Sequence, residues 1–322
     1  MFFKLFLNCL YNIVKIPKKS IFNFKIYIIL WFAIYNIKCY ISLEMLWRYL
    51  ILSIHKEIKQ SLNINSFIKM KENDDKITCL TAYDYTSAKI LDNAGIDLIL
   101  TGDSLGMVMN GYDSTIPVTL DEVIYHTKAV KKAVTRAFVV ADMPFGSYQI
   151  DEKSAMENAI RLVKETEVPA IKLEGGKEIA PLVKKLVNAG IGVMGHIGLK
   201  PQMINTMGGY KIFGKDGADS LIEDAKALED AGVFSVVLEG VSSQSAEKIT
   251  KSINIPTIGI GAGAGCSGQI LVYHDVFGIF TDFKPKFVKR YANVAEIIDK
   301  AAKEYINDVK SGVFPDDAHS FK

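Results

Sequence analysis

Five successive apolar runs of this chain end in side chains that can do chemistry. "DLILTGDS" closes on Asp103 and Ser104, "AFVVAD" on Asp142, "PAIKLE" on Lys172 and Glu174, "IGVMGH" on His196, and "FSVVLE" on Glu239. Each has an ordinary explanation when taken singly. Gly102-Asp103 is common turn chemistry, and Asp103 could instead cap a helix. Asp142 could belong to a turn before Pro144, and Glu174 could simply pair with Lys172. Together, Asp103, Asp142 and Glu174 are three carboxylates with no cysteine among them. That set suits a hard cation such as Mg²⁺, which takes oxygen ligands and keeps water or substrate oxygens. Lys172 would suit a substrate carboxylate or a developing enolate, and His196 either a loop hydrogen bond or the substrate. Glu239 follows Val236-Val237-Leu238, and an acid at the end of such a run more often has a task than a packing role. His55, His126, His274 and His319 fall where surface or packing roles suffice. The run "GIGAGAG" is weak as a phosphate cradle and better read as allowing close backbone approach.

These residues need elements that bring them together. From Lys76 onward, short β-rich runs alternate with helical stretches. The strands are "KITCLTAYD", "DLILTGD", "AFVVADMPF", "PAIKLEGG", "IGVMGHIG", "FSVVLEG" and "PTIGIGAG", with an eighth expected within "DVFGIFTDF". Helices are expected near 87–94, 120–133, 154–166, 178–190, 218–232, 245–253 and 294–311, with Gly95, Gly190 and Gly232 placed to close three of them. Strands alternating with 10–15-residue helical patterns imply parallel βα units. Their largely apolar character implies a sheet covered on both faces. The fold class expected is α/β, a (β/α)₈ TIM barrel, ahead of an open doubly wound sheet. In a barrel the C-terminal strand ends converge on one face, where active sites lie. The side-chain period of two puts Lys172 and Glu174 on one side of their strand.

The chain has 322 residues, 49% hydrophobic and 23% charged, with a net charge of +2. Residues 1–60 hold nine Lys/Arg and two Asp/Glu, or +7, which leaves −5 for residues 61–322. An acidic body gives no nucleic-acid footprint. Two domains are expected: an atypical hydrophobic and basic extension over 1–60, and a catalytic barrel over 61–322. The apolar run Ile26–Ile37 is short of the roughly 20 residues a membrane helix needs, and no signal-peptide cleavage site follows it. The extension reads as disordered or non-native, translated from upstream of a start at Met45 or Met70; a membrane anchor is the lesser alternative. Cys9, Cys39, Cys79 and Cys266 are widely spaced, which argues for a reducing, cytoplasmic setting and against a disulfide framework or structural zinc.

From about Asn63 to Phe321 the sequence resembles the ketopantoate hydroxymethyltransferase (3-methyl-2-oxobutanoate hydroxymethyltransferase) family. The resemblance rests on "LTAYDY", "GDSLGMV", "DSTIPVTLDEVIYHTKAV", "ADMPFGSY", "IKLEGG", "GHIGLKPQ", "GGYKIFGK", "IPTIGIGAG", "GQILVYHD" and "SGVFPDDAHSF". It implies a barrel that uses Mg²⁺ and methylenetetrahydrofolate to hydroxymethylate α-ketoisovalerate through a metal-stabilised enolate, giving ketopantoate on the route to pantothenate. It implies metal ligation by Asp103, Asp142 and Glu174, and keto-acid contacts from Asp103, Ser104, Asp142 and Lys172. Glu239 matches the proton acceptor and His196 an active-site position. It also implies a homo-oligomer, commonly a decamer, with small-molecule partners only. Two departures fall on loops: Ser267 where the family usually shows Asp, and Ser242 where Pro is common.

Two other readings compete. A Mg²⁺-dependent carbon–carbon lyase or mutase of the phosphoenolpyruvate mutase and isocitrate lyase group would also use strand-end carboxylates, but its cysteine loop is not evident here. A catalytically silent scaffold is opposed by the intact set of Asp103, Asp142, Glu174 and Glu239.

Overall fold

The computed structural model describes residues 61–209 and 211–321. The expectations for residues 1–60, including a start at Met45 and a membrane anchor, lie outside the described residues. Eight parallel strands close into a barrel in sequence order: β1 Ile77–Thr81, β2 Leu98–Thr101, β3 Phe138–Asp142, β4 Ala170–Glu174, β5 Gly192–Gly198, β6 Ser235–Glu239, β7 Thr257–Ile260 and β8 Gly268–Leu271. Helices Tyr85–Ala94, Leu120–Ala133, Glu152–Thr166, Ala180–Asn188, Asp219–Ala231 and Ser243–Ser252 follow β1 to β6, and Val294–Ser311 comes near the end. Among the described residues, no helix is long and apolar enough to cross a membrane.

Strand alternation sorts the side chains into two cores. Phe138, Val140, Ala170, Met194 and Val237 point into the barrel, while Val139, Ala141, Ile171, Leu173, Val193, Val236 and Leu238 pack outward against the helices. The inward series continues upward from Val140 to Asp142, from Ala170 to Lys172 and Glu174, from Met194 to His196, and from Val237 to Glu239, because side chains repeat every two residues. The barrel interior is therefore apolar below and ionic at its C-terminal mouth.

Two elements depart from the sequence reading. The eighth strand is Gly268–Leu271, within "GQILVYHD", and not in "DVFGIFTDF". β8 is only four residues long and is joined to β7 by a loop without a helix, so the βα rhythm used to place it fails there. A helix at Ile64–Glu72 also precedes β1, opened by a reciprocal cap between Asn63 and Ser66. Its Phe67 seals the barrel floor, edge-on to Phe138 at 5.3 Å and tilted against Phe234 at 6.0 Å between ring centres. Burying one such side chain stabilises by about 1.5–3 kcal/mol.

The two departures from the family pattern make loop bonds. Ser242 donates its N–H to Phe213 O (2.9 Å) and its hydroxyl to Gly214 O (2.8 Å). Ser267 Oγ accepts the Thr257 N–H at 3.3 Å, tying β7 to β8. In the glycine run, a Cβ on Gly263, at φ +79°, would lie 2.6 Å from Ser243 Cβ. Close approach is what that glycine provides.

Candidate active site

The mouth gathers the residues singled out in the sequence. Asp142 is the last residue of β3, and Lys172 and Glu174 close β4. His196 lies opposite Glu174 across the β4–β5 pairing, and Glu239 opposite Gly198 across β5–β6. Gly198 is required there. It has φ +91°, and a Cβ would fall 2.3 Å from the Glu239 carbonyl oxygen, which accepts the Leu199 N–H at 2.8 Å.

A continuous polar chain crosses the mouth. The Asp103 N–H donates to Asp142 Oδ2 at 3.3 Å, and Asp142 Oδ1 lies 2.9 Å from Lys172 Nζ. Lys172 Nζ is 3.9 Å from Glu174 Oε1 and 3.4 Å from His196 Nδ1. His196 then spans two acids, with Nδ1 3.4 Å from Glu174 Oε1 and Nε2 3.4 Å from Glu239 Oε2. Ser104 stands outside this chain and bonds Tyr83 Oη at 2.8 Å.

Electrostatics follow from burial and crowding. Burial, with Asp142 and Glu174 nearby, pushes the Asp103 carboxyl well above its usual range. Burial also raises Asp142, although Lys172 opposes it. Burial works against the Glu174 carboxylate too, but His196, Lys172 and the Gln202 N–H outweigh it and hold that group low. Lys172 is kept charged despite burial by Asp142, Glu174 and Asp103. His196 is opposed by burial and by Lys172, yet Glu174 and Glu239 lift it to about 9.

Four carboxyl groups thus share a largely buried space with only two basic groups, so added positive charge would favour ionisation of Asp103 and Asp142. Among the described residues, no three His, Cys, Asp or Glu groups form a ready-made cage. Mg²⁺ does not need one, since it usually binds through one or two carboxylates plus water and substrate oxygens. Both Glu174 oxygens are engaged, by the Gln202 N–H and His196, whereas Asp103 Oδ1 has no hydrogen-bond partner among the described residues. The donor set therefore fits a hard divalent cation.

Sequence reasoning missed Gln202, Tyr148 and Tyr83. Gln202 is buried and bonds Asp103, Met143, Tyr148 and Glu174. An uncharged amide in an irregular loop gives no periodic or charge signal; its place in "GHIGLKPQ" was the one available hint. The other histidines pack or sit at the surface: His126 Nδ1 lies 2.6 Å from Tyr83 O, His274 is buried against Tyr83 and Tyr273, and His319 is exposed. His55 lies outside the described residues. Cys79 and Cys266 are free thiols buried in the core, away from this chain of groups.

A (β/α)₈ barrel whose mouth joins carboxylates, a buried lysine and a histidine is the architecture of an enzyme acting on a small molecule. Residues 61–317 match the family model for ketopantoate hydroxymethyltransferase. The chain belongs to that family. It is 54% identical over 262 residues to the 3-methyl-2-oxobutanoate hydroxymethyltransferase of Clostridium kluyveri, covering 81% of this chain and 94% of that one. It is 55% identical over 262 residues to the same enzyme of Carboxydothermus hydrogenoformans, covering 81% and 95%. Among solved structures, 2,3-dimethylmalate lyase, a member of the phosphoenolpyruvate mutase/isocitrate lyase superfamily, aligns with a TM-score of 0.52 at 16% identity, over 80% of this chain and 91% of that one. Phosphonopyruvate hydrolase in complex with oxalate and Mg²⁺ aligns with a TM-score of 0.52 at 12% identity, over 80% and 91%. At such identities the likeness is one of fold alone.

Proposed function

We propose that this hydroxymethyltransferase uses Mg²⁺ and methylenetetrahydrofolate to convert 3-methyl-2-oxobutanoate into 2-dehydropantoate. Asp103 and Asp142 would hold the metal, with Glu174 reaching it through water. When bound, Mg²⁺ would supply Lewis-acid stabilisation of negative charge on the keto oxygen. Asp103, Ser104, Asp142 and Lys172 bind the keto acid, and the Lys172 ammonium adds positive charge near its oxygens. Glu239 removes the C3 proton. C3 then bonds to the methylene carbon of the donor, both C–N bonds of that carbon break, and water supplies the hydroxyl, while the C3 proton and one proton of water pass to the two folate nitrogens.

The observation that carries this reading is the setting of Glu239. Its side chain is 15% exposed, against 2% for Asp142 and Glu174 and 5% for Lys172. It is thus the carboxylate open to a substrate proton, with His196 Nε2 3.4 Å away. Positioned bases of this kind contribute about 10²–10⁴-fold. The test is formation of ketopantoate from the two substrates with and without EDTA. Activity abolished by EDTA and restored by Mg²⁺ is expected; metal-independent turnover sinks the metal assignment.

The same reading places the enzyme in the cytoplasm as a homo-oligomer, a decamer by resemblance. Supporting assembly, helix Val294–Ser311 buries none of its residues, yet it carries Ile297, Ile298, Tyr305, Ile306 and Val309 largely exposed. A patch of that kind marks an interaction surface.

A further inference from the structure

Gln202 is 2% exposed and lies in the short turn Pro201–Met203 of the β5–β6 connection. Its amide is held at both ends. Nε2 donates to Asp103 Oδ2 at 2.8 Å and to Met143 O at 2.9 Å. Oε1 accepts from Tyr148 Oη at 2.8 Å and from Gln149 Nε2 at 3.1 Å. Its backbone N–H donates to Glu174 Oε2 at 3.1 Å. The amide can sit only this way round: the Met143 carbonyl accepts only, so the nitrogen must face it.

We propose that Gln202 is the positioning residue of the metal carboxylates, an inference that rests on the metal reading above. From the connection after β5, this one side chain engages the segments that follow β2 and β3, and its backbone engages the end of β4. By occupying Asp103 Oδ2 it leaves Oδ1 for a cation, and by occupying Glu174 Oε2 it keeps that acid from direct ligation. A neutral donor suits the task. A Lys or Arg at this place would neutralise Asp103 and compete with the metal, and a Glu would repel it. Partners that orient ligating carboxylates in this way typically change metal affinity or activity by about 10–100-fold when removed.

The test uses Mn²⁺ as a paramagnetic probe of the full-length protein without substrates. Gln202→Met keeps length and volume but removes the amide. The expected result is a Mn²⁺ dissociation constant raised by about 10–100-fold, with kcat recovering to near wild type at saturating metal. A role confined to packing would lower the unfolding midpoint and leave the affinity of the folded protein unchanged; that outcome overturns the proposal. If Gln202→Met does not fold, Tyr148→Phe removes the hydroxyl that props the amide and must shift the affinity the same way. An unchanged affinity there also overturns it. Wild-type protein that binds no Mn²⁺ is a different failure, because it removes the metal reading itself.

Discussion

Lys172 Nζ lies 2.9 Å from Asp142 Oδ1, and both side chains are sealed from water to within 5%. Such a pair gains little net stability over an apolar core, but breaking it leaves a buried charge uncompensated at about 3–5 kcal/mol. Lys172→Met should therefore lower unfolding free energy by roughly that amount, measured by urea denaturation without metal. Added Mg²⁺ should restore part of it, because the cation takes over the vacated neutralising role. A variant as stable as wild type would show that Asp142 does not depend on Lys172.

Metal affinity should follow the carboxylates unequally. Asp103→Asn and Asp142→Asn keep shape but remove charge, so Mg²⁺ affinity by calorimetry should fall beyond the roughly 10–100-fold expected for outer partners. Glu174→Gln should fall within that range, since both its oxygens already have protein partners. Near-normal turnover of either Asp variant at low Mg²⁺ would misassign the site.

Acid stability should depend on Asp92, far from the chemistry. Its carboxylate accepts the N–H groups of Thr135 (2.9 Å), Arg136 (3.1 Å) and Ala137 (2.7 Å) and the Thr135 hydroxyl (2.8 Å). Burial would raise its pKa, but these bonds outweigh burial and hold it low. A depressed folded pKa gives stability that is fully present above the unfolded value near 3.9 and is lost as pH falls below it. Asp92→Asn should cost about 1.5–3 kcal/mol at pH 7, and the gap to wild type should narrow below about pH 4. A gap independent of pH would mean that the charge is not what those donors hold.

Residues 1–60 should be dispensable for catalysis. The family match starts at residue 61, and 262 aligned residues cover 94% of the Clostridium kluyveri relative but 81% of this chain. A chain beginning at Ser61 should fold and turn over like the full-length protein. Loss of most activity on truncation, with the full chain sound, would make the extension part of the enzyme.

The barrel was legible because strand runs such as "PAIKLE" combine an apolar stretch with a polar end, and a period of two carries Ala170, Lys172 and Glu174 to one face. Helices Leu120–Ala133 and Val294–Ser311 matched their expected bounds. β8 was misplaced because Gly268–Leu271 is short and no helix separates it from β7. The helix bearing Phe67 was missed because its role, closing the barrel floor, exists only once the strands have closed. Gln202 was missed for a related reason: an amide matters here through four partners distant in sequence, and a single residue type cannot announce them.

The most direct test is exchange of the C3 hydrogen of 3-methyl-2-oxobutanoate in heavy water, followed by proton NMR without folate. If Glu239 takes that proton, wild-type protein with Mg²⁺ should exchange it. Glu239→Gln should slow exchange by about 10²–10⁴-fold while metal and keto acid still bind. Rapid exchange by Glu239→Gln would contradict the account and give the base role to another group, with His196, 3.4 Å away, the first to examine.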